Sequence, residues 1–229
     1  MTAVTASRYS FGEELANAIT HGLGILLSII GLAVLTGFAA AYGDARHVVG
    51  VSVFGASLVL LYTSSTLYHS IPAPRAKEVL RALDHSFIFI LIAGTYTPFC
   101  LVTLQGAWGW GLFAFVWSLA IIGIICRLWL GRKSGYVSVA VYLLMGWSVV
   151  PAFDTLVQNI TSTGLWLMVA GGIAYTGGVV FYLWRKLPYH HAIWHVFVLA
   201  GSVLHFFAVL FGVLPDAGAR LLELCGVGA

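Results

Sequence analysis

The chain has 229 residues, 60% of them hydrophobic and only 8% charged, with a formal net charge of +3. An ordinary soluble domain is about one quarter charged, so these few charges cannot clothe a water-facing surface and the bilayer is the expected solvent. The small positive balance gives no footprint for nucleic acid, and Cys100, Cys126 and Cys225 are too scattered for a disulfide framework or a cysteine zinc site.

Residues 1–14 are polar and carry Glu13 and Glu14 where a signal peptide would be basic, so the first span is expected to direct insertion. A bilayer core needs about 20 apolar helical residues. Seven stretches qualify: 15–41, 47–69, 84–104, 108–130, 135–153, 164–184 and 192–214. Their apolar runs are continuous rather than alternating, which predicts helices and not barrel strands. The expected fold is an all-α integral membrane protein, a seven-transmembrane helix bundle forming one domain over 1–229, without a tandem repeat.

Glu14, Asn17 and His21 form an i, i+3, i+7 stripe at the start of the first span. Packing or substrate gating explains it better than direct metal ligation. The second span ends at His69, with Ser65 one turn earlier on the same face. Pro72 and Pro74 occupy the next connection, and Asp84 opens the third span. His85 follows it, turned about 100° round the helix. Pro98 and Pro151 lie near the ends of the third and fifth spans, where a kink or early stop is expected. Gly131 and Gly135 separate the fourth span from the fifth. Ala170, Ala174 and Gly178 make a small-residue ridge on the sixth, a signature of close helix packing. Pro188 precedes the seventh span, which carries His191 and His195, and Pro215 follows it. Trp108, Trp110, Trp129, Tyr182 and Trp184 read as interfacial belt residues, as does His190. His205 is about 15 Å deeper than His195, which suits a packing hydrogen bond rather than a shared ligand set.

The basic residues set the orientation. With the N-terminus inside, the cytoplasmic segments hold Arg8, Arg75, Lys77, Arg81, Arg127, Arg132, Lys133, Arg185 and Lys186. The outer segments hold only Arg46 and Arg220. That asymmetry predicts a cytoplasmic N-terminus and an outer C-terminus. His69, Asp84, His191 and His195 then converge at the cytoplasmic edge.

Intramembrane ionisable residues are costly and commonly functional. His191 and His195, spaced i, i+4, share one helix face. With His69 they supply three imidazoles, a donor set suited to zinc with a fourth position open, as in catalytic sites. Asp84 could orient or deprotonate a water there, or simply cap the third helix. Ser65 could support the same water or an oxyanion, or bond its own helix backbone. A lone interfacial histidine more often serves backbone or headgroups; three with an aspartate at one depth favour a metal.

The stretch Ser64-Ser65-Thr66-Leu67-Tyr68-His69, then Leu83-Asp84-His85, then His191-Ala192-Ile193-Trp194-His195, resembles the haemolysin III family. That family is the bacterial branch of the progestin and adipoQ receptor superfamily, which includes the adiponectin receptors. Glu14, Asn17, Thr20 and His21 and the run Gly94-Thr95-Tyr96-Thr97-Pro98 are similar to other motifs of that family. The resemblance implies zinc (Zn2+) on His69, His191 and His195, with Asp84 reaching it through water. It also implies a multi-pass protein of the bacterial inner (cytoplasmic) membrane and kinship with ceramidase-like hydrolases of lipid amides. The chain lacks the long N-terminal region of the adiponectin receptors, which argues against hormone-type signalling. Three functions follow as expectations, in this order: a zinc-dependent hydrolase with Asp84 and Ser65 as catalytic groups and membrane lipids as substrates; a zinc-stabilised receptor or regulator of membrane homeostasis; and a pore-forming haemolysin.

Overall fold

A computed structural model describes residues 9–130 and 135–224. Arg8, Gly131, Arg132, Lys133 and Cys225 lie outside the described residues. The elements are α1 (Phe11–Tyr42), α2 (Ala45–Ser70), α3 (Pro74–Pro98), α4 (Gly106–Leu130), α5 (Gly135–Gly146), α6 (Phe153–Asn159), α7 (Ser162–Leu183), α8 (His190–Gly212) and α9 (Ala217–Leu224). A π-helical turn, Phe99–Leu104, prolongs α3, and a 3-10 turn, Val150–Ala152, joins α5 to α6. Among the described residues there are no strands, and seven helical spans are long and apolar enough to cross a membrane. The chain is a multi-pass, all-helical membrane protein.

Local chemistry explains where these helices begin. Ser10 and Glu13 form a reciprocal capping box at the start of α1. Asp44 caps α2 by accepting from the N–H groups of Arg46 and His47. The third helix starts at Pro74, well before Asp84, because proline suits a first helical position and the following Arg75, Lys77, Glu78 and Arg81 are tolerant helix formers. Asp84 is therefore interior to α3 and caps nothing. Pro98 ends the regular part of α3; the π turn after it closes at Gln105 and Gly106, both with positive φ.

Pro151 breaks the fifth span into α5 and α6 through the 3-10 turn. Backbone freed by such a break must find partners inside a membrane. Tyr96 supplies them: its hydroxyl donates to the Gly146 carbonyl at 2.7 Å and accepts from the Val149 N–H at 3.2 Å.

The buried stripe of α1 is Asn17, His21, Gly24, Ser28, Gly31, Leu35 and Ala39, spaced by three or four residues. Apart from Leu35, polar and small residues face the bundle while larger apolar residues such as Ile19, Leu26 and Ile30 face outward, the arrangement expected where lipid is the solvent. Tyr62, Phe54 and Val209 lie in a core among α1, α2 and α8. A second core, with Phe89, Val116 and Leu156, lies among α3, α4 and α6.

On α7 the buried ridge is Gly164, Gly171 and Gly178. Each is two turns from the next and each meets α8, at Gly212, His205 and Phe197 respectively. Gly178 belongs to the expected ridge; Ala170 and Ala174 are only half-buried. Glycine lets two backbones approach more closely than alanine does, so the helix rotates to place glycines in the seam.

Candidate metal centre

His69 lies in the last turn of α2, and His191 and His195 lie in the first turns of α8. The two helices bring these ends together. Each histidine offers one ligand atom, and these atoms lie within 4.8 Å of one another. All three side chains are buried. The ring centroids of His69 are 5.2 Å from those of both His191 and His195, and the latter two are 4.5 Å apart. Tyr9, just ahead of α1, stacks on His191 at 5.2 Å and closes one side of the cluster.

The helix α1 supports two of the three rings. His69 Nδ1 lies 2.6 Å from Glu14 Oε2 and 3.4 Å from Asn17 Nδ2. Glu14 Oε1 accepts from Lys77 Nζ at 2.7 Å, and Lys77 also donates to the Tyr68 carbonyl at 3.1 Å. His195 Nδ1 lies 3.2 Å from both the Asn17 carbonyl oxygen and Thr20 Oγ1. With Nδ1 so engaged, Nε2 of each ring is left as the ligand atom.

The unpaired atoms test whether a metal fits. His69 Nε2 and both nitrogens of His191 are buried without a hydrogen-bond partner among the described residues. Leaving such groups unmet is costly, roughly 1–3 kcal/mol each. Three convergent imidazoles with spare lone pairs are a donor set that a borderline-soft divalent cation satisfies. The cluster can hold a metal ion.

Asp84 is buried on α3 and lines the same cavity as His191 and His195. It is close enough to interact electrostatically with His69 and His191. Contrary to the 100° expectation, His85 does not turn away: its Nδ1 sits 3.3 Å from Asp84 Oδ2 and 2.9 Å from the Arg81 carbonyl. A long ring can swing back across the arc that separates two adjacent Cβ atoms. Ser65 Oγ is buried and has no hydrogen-bond partner among the described residues, so it does not bond its own helix; the adjacent Ser64 does, at the Leu61 carbonyl.

The cavity has a volume of about 120 Å³. Its histidine end includes His21, Asp84, His191 and His195, its walls include Ile92, Leu143, Val179 and Val198, and it reaches Thr95 and His205. His21 stacks on His195 with centroids 3.5 Å apart and planes 11° from parallel, and neither of its nitrogens has a partner among the described residues. Among the described residues, His205 makes no hydrogen bond to a neighbouring helix. Its Nδ1 meets the Gly201 carbonyl of its own helix at 2.8 Å, and its ring stacks on Tyr175 at 5.3 Å.

His190 is buried rather than belt-like, with Nδ1 3.2 Å from the Phe181 carbonyl. Tyr182 also turns inward, lining the cavity beside His191 and Trp194, because its ring fills the cleft between α7 and α8. Trp108, Trp110, Trp129 and Trp184 are exposed, as a belt requires.

The contacts of Glu14, Asn17 and Thr20 with the histidines are what spacing alone did not supply. Their placement on one face of α1 was visible; the rings that this face meets come from residues 52 to 178 positions away.

Residues 9–206 match the family described as Haemolysin-III related. The chain belongs to the haemolysin III family. It is 51% identical over 205 residues to Hemolysin-3 of Bacillus cereus, covering 90% of this chain and 94% of that one. The Hemolysin-3 homolog of Bacillus subtilis is 49% identical over 203 residues, covering 89% of this chain and 95% of the relative. A more distant relative is the human Monocyte to macrophage differentiation factor, 31% identical over 205 residues, with 86% and 83% covered. The motifs around His69, Asp84 and His191 thus sit in a haemolysin III protein whose histidines form a metal-capable cluster.

Proposed function

We propose that this haemolysin III protein is a zinc-dependent hydrolase of the bacterial cytoplasmic membrane, acting on an amide or ester bond of a lipid. The observation that carries the reading is the meeting of three buried histidines, two of them with unpaired nitrogens, where His191, His195 and the buried Asp84 line one end of an apolar cavity. His69, His191 and His195 are the ligands. Zinc bound by such residues supplies Lewis acidity and makes water acidic enough to ionise near neutral pH.

The chain's own groups do the rest. Asp84 takes a proton from the attacking water at its carboxylate. Ser65 donates a hydrogen bond to the water or to the oxygen that gains charge. The apolar walls hold the hydrocarbon of the substrate and exclude bulk water. Arg75, Lys77, Arg81, Arg127, Arg185 and Lys186 fall at the histidine end of the bundle, which supports a cytoplasmic N-terminus and a site at the inner leaflet. Membrane lipids are then the partners at hand, and they enter laterally.

A second reading is favoured by one feature: the histidines join α2 to α8, and Glu14 and Asn17 draw in α1. A metal there would also clasp three helices, as a receptor or regulator needs. A pore is disfavoured because the polar groups gather at one end.

The test is metal analysis and lipid turnover of purified protein beside His195→Ala. Bound zinc and lipid cleavage in the wild type, both lost in the variant, support hydrolysis. Cleavage that survives in the variant overturns it. Metal that raises the thermal midpoint with no cleavage of any lipid class selects the clasp.

A further inference from the structure

A neutral imidazole coordinates through one nitrogen and must place its remaining N–H elsewhere, so whatever accepts that N–H sets both tautomer and basicity. The three ring environments differ in this respect. His195 Nδ1 faces a neutral backbone carbonyl, that of Asn17. His191 has no hydrogen-bond partner at either nitrogen among the described residues. Among the described residues, His69 alone of the three has a carboxylate at hydrogen-bond distance, Glu14 Oε2 at 2.6 Å from Nδ1. The carboxylate is itself held, because its other oxygen accepts from Lys77.

We infer that Glu14 is a positioning residue for the metal centre. Accepting the Nδ1 proton of His69, it locks the tautomer that presents Nε2 and makes that nitrogen a stronger donor. The inference rests on the three histidines holding a metal. It gives α1, which contributes no ligand, control over the affinity of a site built by α2 and α8. Lys77 orients Glu14 through the opposite oxygen and also anchors to the Tyr68 carbonyl beside His69. A charge-assisted hydrogen bond of this length is about twice as strong as a neutral one.

A simpler role for Glu14 would be an ion pair with Lys77 that ties α1 to α3. The two roles separate on Lys77. If Glu14 acts on His69, Lys77→Met weakens the site less than Glu14→Ala does, because the Glu14–His69 contact survives without its outer anchor. If Glu14 matters only as a tie, Lys77→Met and Glu14→Ala weaken the site alike.

The experiment is Zn2+ competition with a chelator on the purified full chain, for the wild type, Glu14→Ala, Glu14→Gln and Lys77→Met. The thermal midpoint of each metal-free form is measured alongside. The expected result is a loss of roughly 10–100-fold in Zn2+ affinity for Glu14→Ala, typical of removing an outer carboxylate partner. Glu14→Gln should lose less, since its amide oxygen still accepts from Nδ1, and Lys77→Met should lose least. Should Glu14→Ala fail to fold, the ranking of Glu14→Gln below wild type and Lys77→Met decides. Wild-type affinity in the Glu14 variants, or equal losses in Glu14→Ala and Lys77→Met, overturns the inference while leaving the metal centre standing. A wild type that takes up no Zn2+ overturns both.

Discussion

The helices α2, α3 and α8 differ from α4, the α5–α6 pair and α7 in burial, yet hardly in hydropathy. In their most apolar windows the first three are 56%, 61% and 44% buried, and the others 28%, 17% and 17%. Mean hydropathy runs only from 1.6 to 2.3 across all seven spans. The buried polar residues divide more sharply. Ser65, His69, Asp84, His191, His195 and His205 belong to the inner group, while the outer group contributes little beyond Arg127 and Ser138. In lipid, apolar surface is at home on the outside, so greasiness does not sort inner from outer helices. Polar side chains do, because the bundle interior is where their partners are.

The comparison can be broken most forcefully at the histidines. His191→Ala should lose stoichiometric metal, a greater effect than the roughly 10–100-fold typical of outer partners. His205→Ala, deeper on the same helix, should retain it. Metal analysis of the two purified variants checks this; equal loss would mean that burial of a histidine, rather than its place in the cluster, is what counts.

A second test contrasts packing. A Cβ on Gly50 of α2 would lie 2.9 Å from Pro98 Cα, which is backbone and cannot rotate aside. Gly50→Val should therefore cost about 1–3 kcal/mol. On the outer α4, Gly111 has open space where a Cβ would go, so Gly111→Ala should be neutral or stabilising by up to about 1 kcal/mol. Reversible unfolding in detergent measures both, and similar costs would erase the distinction between inner and outer helices.

The smallest expected effect lies between the spans. Asp44 is held below its ordinary 3.8, first by its hydrogen bond with the His47 side chain and then by the backbone N–H groups of His47 and Arg46. A depressed carboxyl stabilises the fold above its unfolded value, and that contribution fades as pH falls through the lowered one. Acidification should lower the thermal midpoint of the wild type slightly more than that of Asp44→Asn. Parallel pH profiles would remove Asp44 from the α1–α2 turn's stability.

Much of the site was legible because its chemistry is sparse. In a chain with 8 histidines and 8 acidic residues, His69, His191 and His195 could be singled out from their positions at span ends. Asp84 stands out by its depth, but the start of its helix does not: the charged residues after Pro74 look like loop by hydropathy yet continue a helix by propensity. The inward turn of Tyr182 and the burial of His190 were illegible for a related reason. An aromatic or a histidine at a span end suits headgroups and a protein cleft equally well, and only the neighbouring helix chooses.

Composition and continuous apolar runs determined that this chain crosses a membrane seven times as helices, because no other backbone arrangement satisfies its hydrogen bonds in hydrocarbon with these lengths. Spacing determined that His191 and His195 share a face. Only the tertiary structure decided that α1 lies against both α2 and α8, so that Glu14 meets His69 and Asn17 meets His195. Contacts between helices depend on how each one rotates about its axis to seat its small residues, and that rotation is set by all its neighbours together.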